Sequence, residues 1–395
     1  IVKREYPLKV RRMRCPQCGS LSTVKNGNRQ KVDYSLERKS KKAVQRYKCK
    51  ECQKRFVKKK NKERYTMKFK IELVRMHLEE RMSYRVISKR IKEQYRLNLS
   101  KNTICRLVNE IARLSKGDIK IKEEYHPCWE GCLTVDDKYF SVGGKKKLIL
   151  TATDSSGDFI HTEIFKEVEQ HGIDEFMRFI KEHLRYPIKG ITTDLDEMLE
   201  KSTEKVFGKD VPHQQCLKHA LDIVDRIIEL KQKRRSYENA LKNKKADCLE
   251  KKVKYEEAEN IMGLSRAMFY SSDKKQSTKI LGELRIYKDK YPKLIDFFDR
   301  SLEKLLTHQK HPLIKKTNNV AENINRQLMR RFKTIESFQK LIYAENYLNL
   351  YKNYLRFKPY TDCRGSHKFK NGKSPLEVCG VVLKNKDWLY NAIAF

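Results

Sequence analysis

Between residues 131 and 216 the sequence keeps switching between a two-residue and a helical period, and two of its strand-like runs close on carboxylates. Leu133-Thr-Val135 leads into Asp136-Asp137, and Ile188 to Thr193 leads into Asp194-Leu195-Asp196. Lys147 to Thr153 and Phe159 to Phe165 read as further strands. Gly143-Gly144 turns into the first of these, and Ser155-Ser156-Gly157-Asp158 turns into the second. Ile173 to Leu184 and Met198 to Phe207 have helical periodicity, and Val211 leads a short segment into Cys216. Three meandering strands followed by strand–helix alternation predict an α/β fold, a mixed sheet flanked by helices.

The acidic strings stand out because the chain is otherwise basic, with 89 Lys and Arg against 51 Asp and Glu and a net charge of +38. Such a chain seeks polyanions, since neutralised phosphates release counterions; a ribosome-associated or merely lysine-rich protein is the plainer alternative. Carboxylates at strand ends then suggest divalent metal held against a phosphodiester, one ion activating the attacking oxygen and another stabilising the leaving one. Mg²⁺ takes hard oxygen ligands and keeps several waters, so two or three acidic residues suffice. Asp136 on a first strand and Asp194 at the end of a parallel neighbour fit two of these positions. Glu322, in Thr317-Asn-Asn-Val-Ala-Glu322-Asn-Ile-Asn325-Arg326, is the third candidate, at the margin of a buried stripe of Ala321, Ile324, Leu328 and Phe332. It has a second reading, as the third residue of a helix capped by Asn319.

Cys15-Pro-Gln-Cys18 and Cys49-Lys-Glu-Cys52 supply four thiolates in two knuckles, the donor set of structural Zn²⁺; a single such pair would read as a redox site. A hairpin around Asn26-Gly27-Asn28 is expected between them, and the surrounding Lys and Arg suggest a ribbon that touches DNA. Residues 66–114 read as three helices. In the third, Ser100 caps a stripe of Ile104, Leu107, Val108 and Ile111, leaving Lys101, Asn102, Cys105, Arg106 and Asn109 on the other face. That face suits phosphates and base edges, as in a helix-turn-helix, or is the solvated side of an ordinary bundle.

Residues 220–310 lose strand signal and read as a helical insertion, with sheet-domain chemistry resuming after it. The expected organisation is a zinc ribbon (1–65), a helix-turn-helix domain (66–116), a first part of the catalytic core (117–222), the insertion (223–312), the last part of the core (313–358) and a tail (359–395). No run approaches the roughly 18–20 apolar residues of a membrane span. The charged start, Ile1 to Arg14, lacks the apolar core of a signal peptide. Eleven cysteines with only four in pairs fit a reducing compartment, and the expected location is cytoplasmic and nucleoid-associated, without membrane contact.

In this order the motifs resemble one family, the DDE transposases of prokaryotic insertion sequences, with a ribonuclease-H-like core. The resemblance runs from Tyr47-Lys-Cys49-Lys-Glu-Cys52-Gln-Lys-Arg-Phe56 through Ser100-Lys-Asn-Thr-Ile-Cys-Arg-Leu107, Thr134-Val-Asp136-Asp137-Lys-Tyr139 and Ile191-Thr-Thr-Asp194. It continues to Thr317–Arg326 and Asn371-Gly-Lys-Ser-Pro375-Leu-Glu377. It implies that Asp136, Asp194 and Glu322 bind Mg²⁺ or Mn²⁺ as a catalytic triad. The gaps are 58 residues (194 minus 136) and 128 (322 minus 194), and the second resembles the Mutator-like branch with its helical insertion. That branch also carries a Cys-x-x-His, matched by Cys216-Leu-Lys-His219. These two either support the site or are a buried Cys and a helix-start His, and a second metal site on them lacks further ligands.

Two departures stand out. Asp136-Asp137 replaces the common Asp-Glu, and Leu195-Asp196 follows Asp194 where Gly is common, so Asp196 competes for the second position. Alternation along a strand predicts that only one of Asp136 and Asp137 faces the site. The resemblance implies an enzyme that binds the terminal inverted repeats of an element and target DNA, cleaves and transfers strands, and works as a homo-oligomer on DNA. Arg326 and Arg330 would neutralise its phosphates. The alternatives are a non-catalytic DNA-binding regulator and a nuclease that cuts without joining.

Overall fold

The computed structural model describes residues 13–34, 39–57, 65–335 and 337–394, in two compact units, Ile1–Ile111 and Ala112–Phe395. In the first unit, β1 (Thr23–Tyr34) pairs antiparallel with β2 (Lys39–Cys49), which pairs with β3 (Arg55–Val57). The expected hairpin at Asn26-Gly27-Asn28 is not a turn. The register slips between Lys25 and Asn28, and Gly27 adopts φ +64°, so these residues form a bulge inside β1. Arg46 Nε and Gln45 Nε2 donate to the Asn26 and Gly27 carbonyls that the bulge frees from the ladder.

The cap read at Ser100 is present, and two further hydroxyls start the preceding helices in the same way. Thr66, Ser83 and Ser100 hydroxyls accept from backbone N–H groups at the starts of α1 (Met67–Leu78), α2 (Tyr84–Tyr95) and α3 (Lys101–Ala112). Ile104, Leu107, Val108 and Ile111 are buried, while Lys101, Asn102 and Arg106 are exposed. Asn109 departs from expectation: it is buried, its amide turned back to the Cys105 carbonyl and thiol. Packing reaches further round α3 than the apolar stripe does, which withdraws Asn109 from the proposed DNA face. Arg106 is paired with Glu110 one turn along.

The second unit opens with α4 (Asp118–Tyr125), followed by β4 (Cys132–Val142), β5 (Lys145–Asp154) and β6 (Phe159–Phe165). Gly143 and Gly144, both at positive φ, close the β4–β5 hairpin as a two-residue turn requires. Then come α5 (Gln170–Arg178), a π-helical turn (Phe179–His183), β7 (Gly190–Thr193), α6 (Glu197–Phe207) and β8 (His213–Gln215). The sheet order is β6-β5-β4-β7-β8, antiparallel across the first three strands and parallel across the last three. This is the mixed, helix-flanked α/β sheet expected from the strand–helix alternation.

Its two faces divide the work. Leu133, Val135, Leu150 and Ile191 pack with Phe176, Ile180, Leu199 and Val206 of the α5–α6 side into one apolar core. The opposite face carries α13 (Asn319–Ile335) against β4 and β5 and α14 (Leu341–Phe357) against β6. Between β8 and α13 the chain is helical: α7 (Leu217–Ile228), α8 (Leu230–Lys242), α9 (Cys248–Tyr270), α10 (Lys274–Leu284), α11 (Pro292–Leu305) and α12 (Thr307–Lys310). Leu217, Val224, Ile261, Phe269, Leu284 and Phe298 give these helices a core of their own. The fully buried Arg356 of α14 is neutralised by Asp158 and Asp118, which also holds Lys352, so this charged cluster is structural. In the tail, Ser374 and Glu377 form a capping box on α15 (Pro375–Val378), ahead of α16 (Trp388–Ala392). Among the described residues no helix is long and apolar enough to cross a membrane.

Candidate metal centre

Among the described residues, metal-ligand side chains gather in one cluster in the first unit and in two that share Asp194 in the second. In the first, Cys15, Cys18, Cys49 and Cys52 each bring a sulfur within 4.8 Å of the others. The two knuckles interleave, with Cys15 Sγ 3.5 Å from Cys52 and Cys18 Sγ 3.6 Å from Cys49. Tetrahedral zinc, with Zn–S near 2.3 Å, sets its sulfurs about 3.8 Å apart. The cluster therefore fits a metal such as zinc. The Cys18 backbone N–H lowers the Cys15 thiol to about 6. Despite their own backbone partners, Cys18 and Cys52 are raised by their sulfur neighbours and burial, so the first proton leaves the cluster from Cys15.

The carboxylate cluster lies on the α13 face of the sheet. β4 does not end at its acids but runs on to Val142; what ends there is its parallel neighbour. β7 stops at Thr193, one residue beyond the Thr134↔Thr192 pair, so Asp194 leaves the sheet beside Asp136. Oxygens of Asp136, Asp137 and Asp194 lie within 4.8 Å of one another. The expectation that only one of the adjacent pair serves the site is thus corrected. Among the described residues nothing pairs with β4 on the β7 side between Thr134 and the Val142–Phe338 bridge, and Asp137 lies in that open stretch.

Amide groups hold the acids in place. Asn325 Nδ2 donates to Asp136 Oδ2 over 2.7 Å, and its Oδ1 accepts from Thr151, which in turn accepts from Thr162. Asn318 Nδ2 donates to Asp136 Oδ1 over 3.0 Å and also to Asp194, bridging two like charges. The segment before α13 is stitched in place. Thr192 donates to the Lys315 carbonyl, and the Leu217 N–H donates to that of Lys316. Asn318 is fully buried, and its own Oδ1 has no partner in the site.

Burial is the main cause that raises Asp136, to about 6, against its Asn325 and Lys138 partners. Burial and then Asp194 raise Asp137 as well. Three crowded hard-oxygen donors and an orphaned amide oxygen are what a divalent cation of the Mg²⁺ or Mn²⁺ type would satisfy.

Asp196 is elsewhere. Its carboxylate caps α6, accepting from Met198 and Leu199 N–H, so Asp194 is the acid that joins the cluster. Glu322 is not in the trio. It sits in the first turn of α13, where burial pushes it up but the Lys218 ammonium outweighs this and holds it below its usual range. The capping reading of Glu322 fails too, because α13 begins at Asn319 itself and the side chain of the preceding Asn318 serves the aspartates. Arg326 and Arg330 are exposed on α13.

His219 Nδ1 stands 2.8 Å from Asp194 Oδ1, and Asp194 followed by Cys216 raises the imidazole to about 10. Sequence reasoning missed Asn318 and Asn325, whose only signal was a run of asparagines around a helix start. No protein-family model matches this chain, and no curated protein matches it as a relative.

Proposed function

We propose that this protein is a DNA transposase with a ribonuclease-H-like core, cleaving and joining DNA strands with Mg²⁺ or Mn²⁺ at Asp136, Asp137 and Asp194. One observation carries the reading. Acids 58 residues apart (194 minus 136) meet at the point where a parallel strand stops beside the middle strand of a mixed sheet. Bound divalent ions would supply an activated attacking oxygen and charge stabilisation at the phosphorus. The chain's own residues prepare that chemistry. Asn318 and Asn325 hold the aspartates before any ion arrives, and Lys138, 3.4 Å from Asp136, offsets part of their charge. The exposed Arg326 and Arg330 offer guanidinium groups to the phosphate backbone. Glu322, now paired with Lys218, would be a further ligand for such an ion if that pair opened.

The four-cysteine ribbon and the Lys101, Asn102 and Arg106 face of α3 would bind the terminal inverted repeats. The net charge of +38 supports double-stranded DNA as the partner, and joining two element ends calls for a homo-oligomer on DNA. The test uses duplexes copied from the DNA flanking the gene. Mg²⁺-dependent cleavage and joining, lost in Asp136→Asn and Asp194→Asn with DNA binding retained, is expected. Full activity in both variants sinks the proposal, and cleavage without joining reduces it to a nuclease.

A further inference from the structure

We propose that Asp194, Cys216 and His219 form a second transition-metal site, selective for zinc and sharing Asp194 with the carboxylate trio. Cys216 and His219 alone lack the donors to hold an ion, and the fold provides the missing one. An Asp194 oxygen, Cys216 Sγ and a His219 ring nitrogen all lie within 4.8 Å of one another. In a tetrahedral zinc site such ligands stand about 3.3–3.6 Å apart, so small side-chain adjustments suffice.

The cluster is built rather than incidental. Thr193, the last residue of β7, accepts the Cys216 N–H at 2.8 Å, which sets the thiol beside the acid that follows that strand. The i, i+3 spacing then brings His219, in the first turn of α7, to the same side. Cys216 is fully buried. His219 Nδ1 is closed off from solvent, and its 2.8 Å approach to Asp194 lacks hydrogen-bond alignment. Two nitrogen and oxygen donors with one sulfur suit zinc and not Mg²⁺, because thiolate is a soft ligand. Three protein ligands leave a fourth position for water or a phosphate oxygen. If the proposed function holds, zinc here draws Asp194 away from the trio and competes with Mg²⁺; the binding itself does not depend on that reading.

The experiment counts zinc by atomic emission in the full chain after dialysis against a zinc buffer. About two ions per chain are expected, one on the ribbon and one here. His219→Gln and Cys216→Ser should each lower the count to about one, and adding Cys15→Ser and Cys49→Ser should bring it near zero. Asp136→Asn should keep about two, whether or not the protein cleaves DNA. As an independent readout, Co²⁺ should give a thiolate charge-transfer band that survives Cys15→Ser/Cys49→Ser and vanishes with Cys216→Ser. His219 is partly exposed, so its variant serves if Cys216→Ser fails to fold by circular dichroism. A count of about one in the unaltered chain overturns the proposal, as does an unchanged count in His219→Gln.

Discussion

Lys218 Nζ donates to both carboxylate oxygens of Glu322, at 2.5 and 2.7 Å, joining α7 to α13 across 104 residues of chain. The pair keeps Glu322 out of the aspartate trio, so recruiting it to an ion means breaking a half-exposed salt bridge, worth about 0.5–1 kcal/mol. Lys218→Met should therefore lower the Mg²⁺ concentration for half-maximal cleavage by about two- to fivefold, by the same free energy. Magnesium titrations with DNA at saturation check this. An unchanged or higher requirement would show that the ion does not compete for Glu322.

Asp136 makes stability depend on pH in an unusual direction. Its carboxyl is raised to about 6 from 3.8, so between these values the folded chain binds more protons than the unfolded one. The contribution is present below pH 4 and is lost as pH rises through 6. Its size is at most about 3 kcal/mol, from 2.2 pH units at 1.36 kcal/mol each. In chelator, Asp136→Asn should flatten this part of the stability profile. Mg²⁺ should raise the melting temperature at pH 7.5 and much less at pH 5, where the proton already occupies the site. Calorimetry across that range is the check.

Asn325 has both amide ends engaged inside a fully buried site. Asn325→Ala removes a donor to the ionised Asp136, so the acid limb of the pH–rate profile should move upward by roughly one unit. A loss of about 1–3 kcal/mol in stability should accompany it, because Thr151 loses its acceptor. A limb that stays in place would mean that Asn325 only packs.

Asp196 and Asp194, two residues apart, should separate cleanly. Asp196→Ala removes a helix cap and should cost about 0.5–2 kcal/mol with Mg²⁺ binding intact. Asp194→Ala should abolish Mg²⁺ binding with little change in the helix. Isothermal titration and denaturant melts on both variants decide between them; reversed results would move the site by two positions.

The ribbon offers a metal-removal test. Cys49→Ser, or zinc chelation, should strip the first unit's ion and weaken DNA binding about uniformly across sequences. Band-shift titrations that show unaltered affinity would remove the ribbon from DNA contact.

Local chemistry settled much in advance. Two cysteine knuckles, the hydroxyl cap at Ser100, a paired glycine turn and the strand runs of β4 to β6 are all readable in sequence, because each depends on neighbours within a few residues. Asp136 and Asp194 were likewise legible as acids on strand-like runs, although only Asp194 follows a strand end and Asp136 sits in the middle of β4. What sequence could not decide was which side chains meet over long separations. Asp137 joins because β7 ends where it does, Asp196 is spent on a cap, and Glu322 is claimed by a lysine from another helix. Asn318, Asn325 and the third ligand beside Cys216 and His219 follow from how α7 and α13 dock on the sheet. Periodicity encodes which face of an element is buried. Only tertiary packing fixes the distance between atoms more than a hundred residues apart, and both metal chemistry and ion pairing depend on that distance.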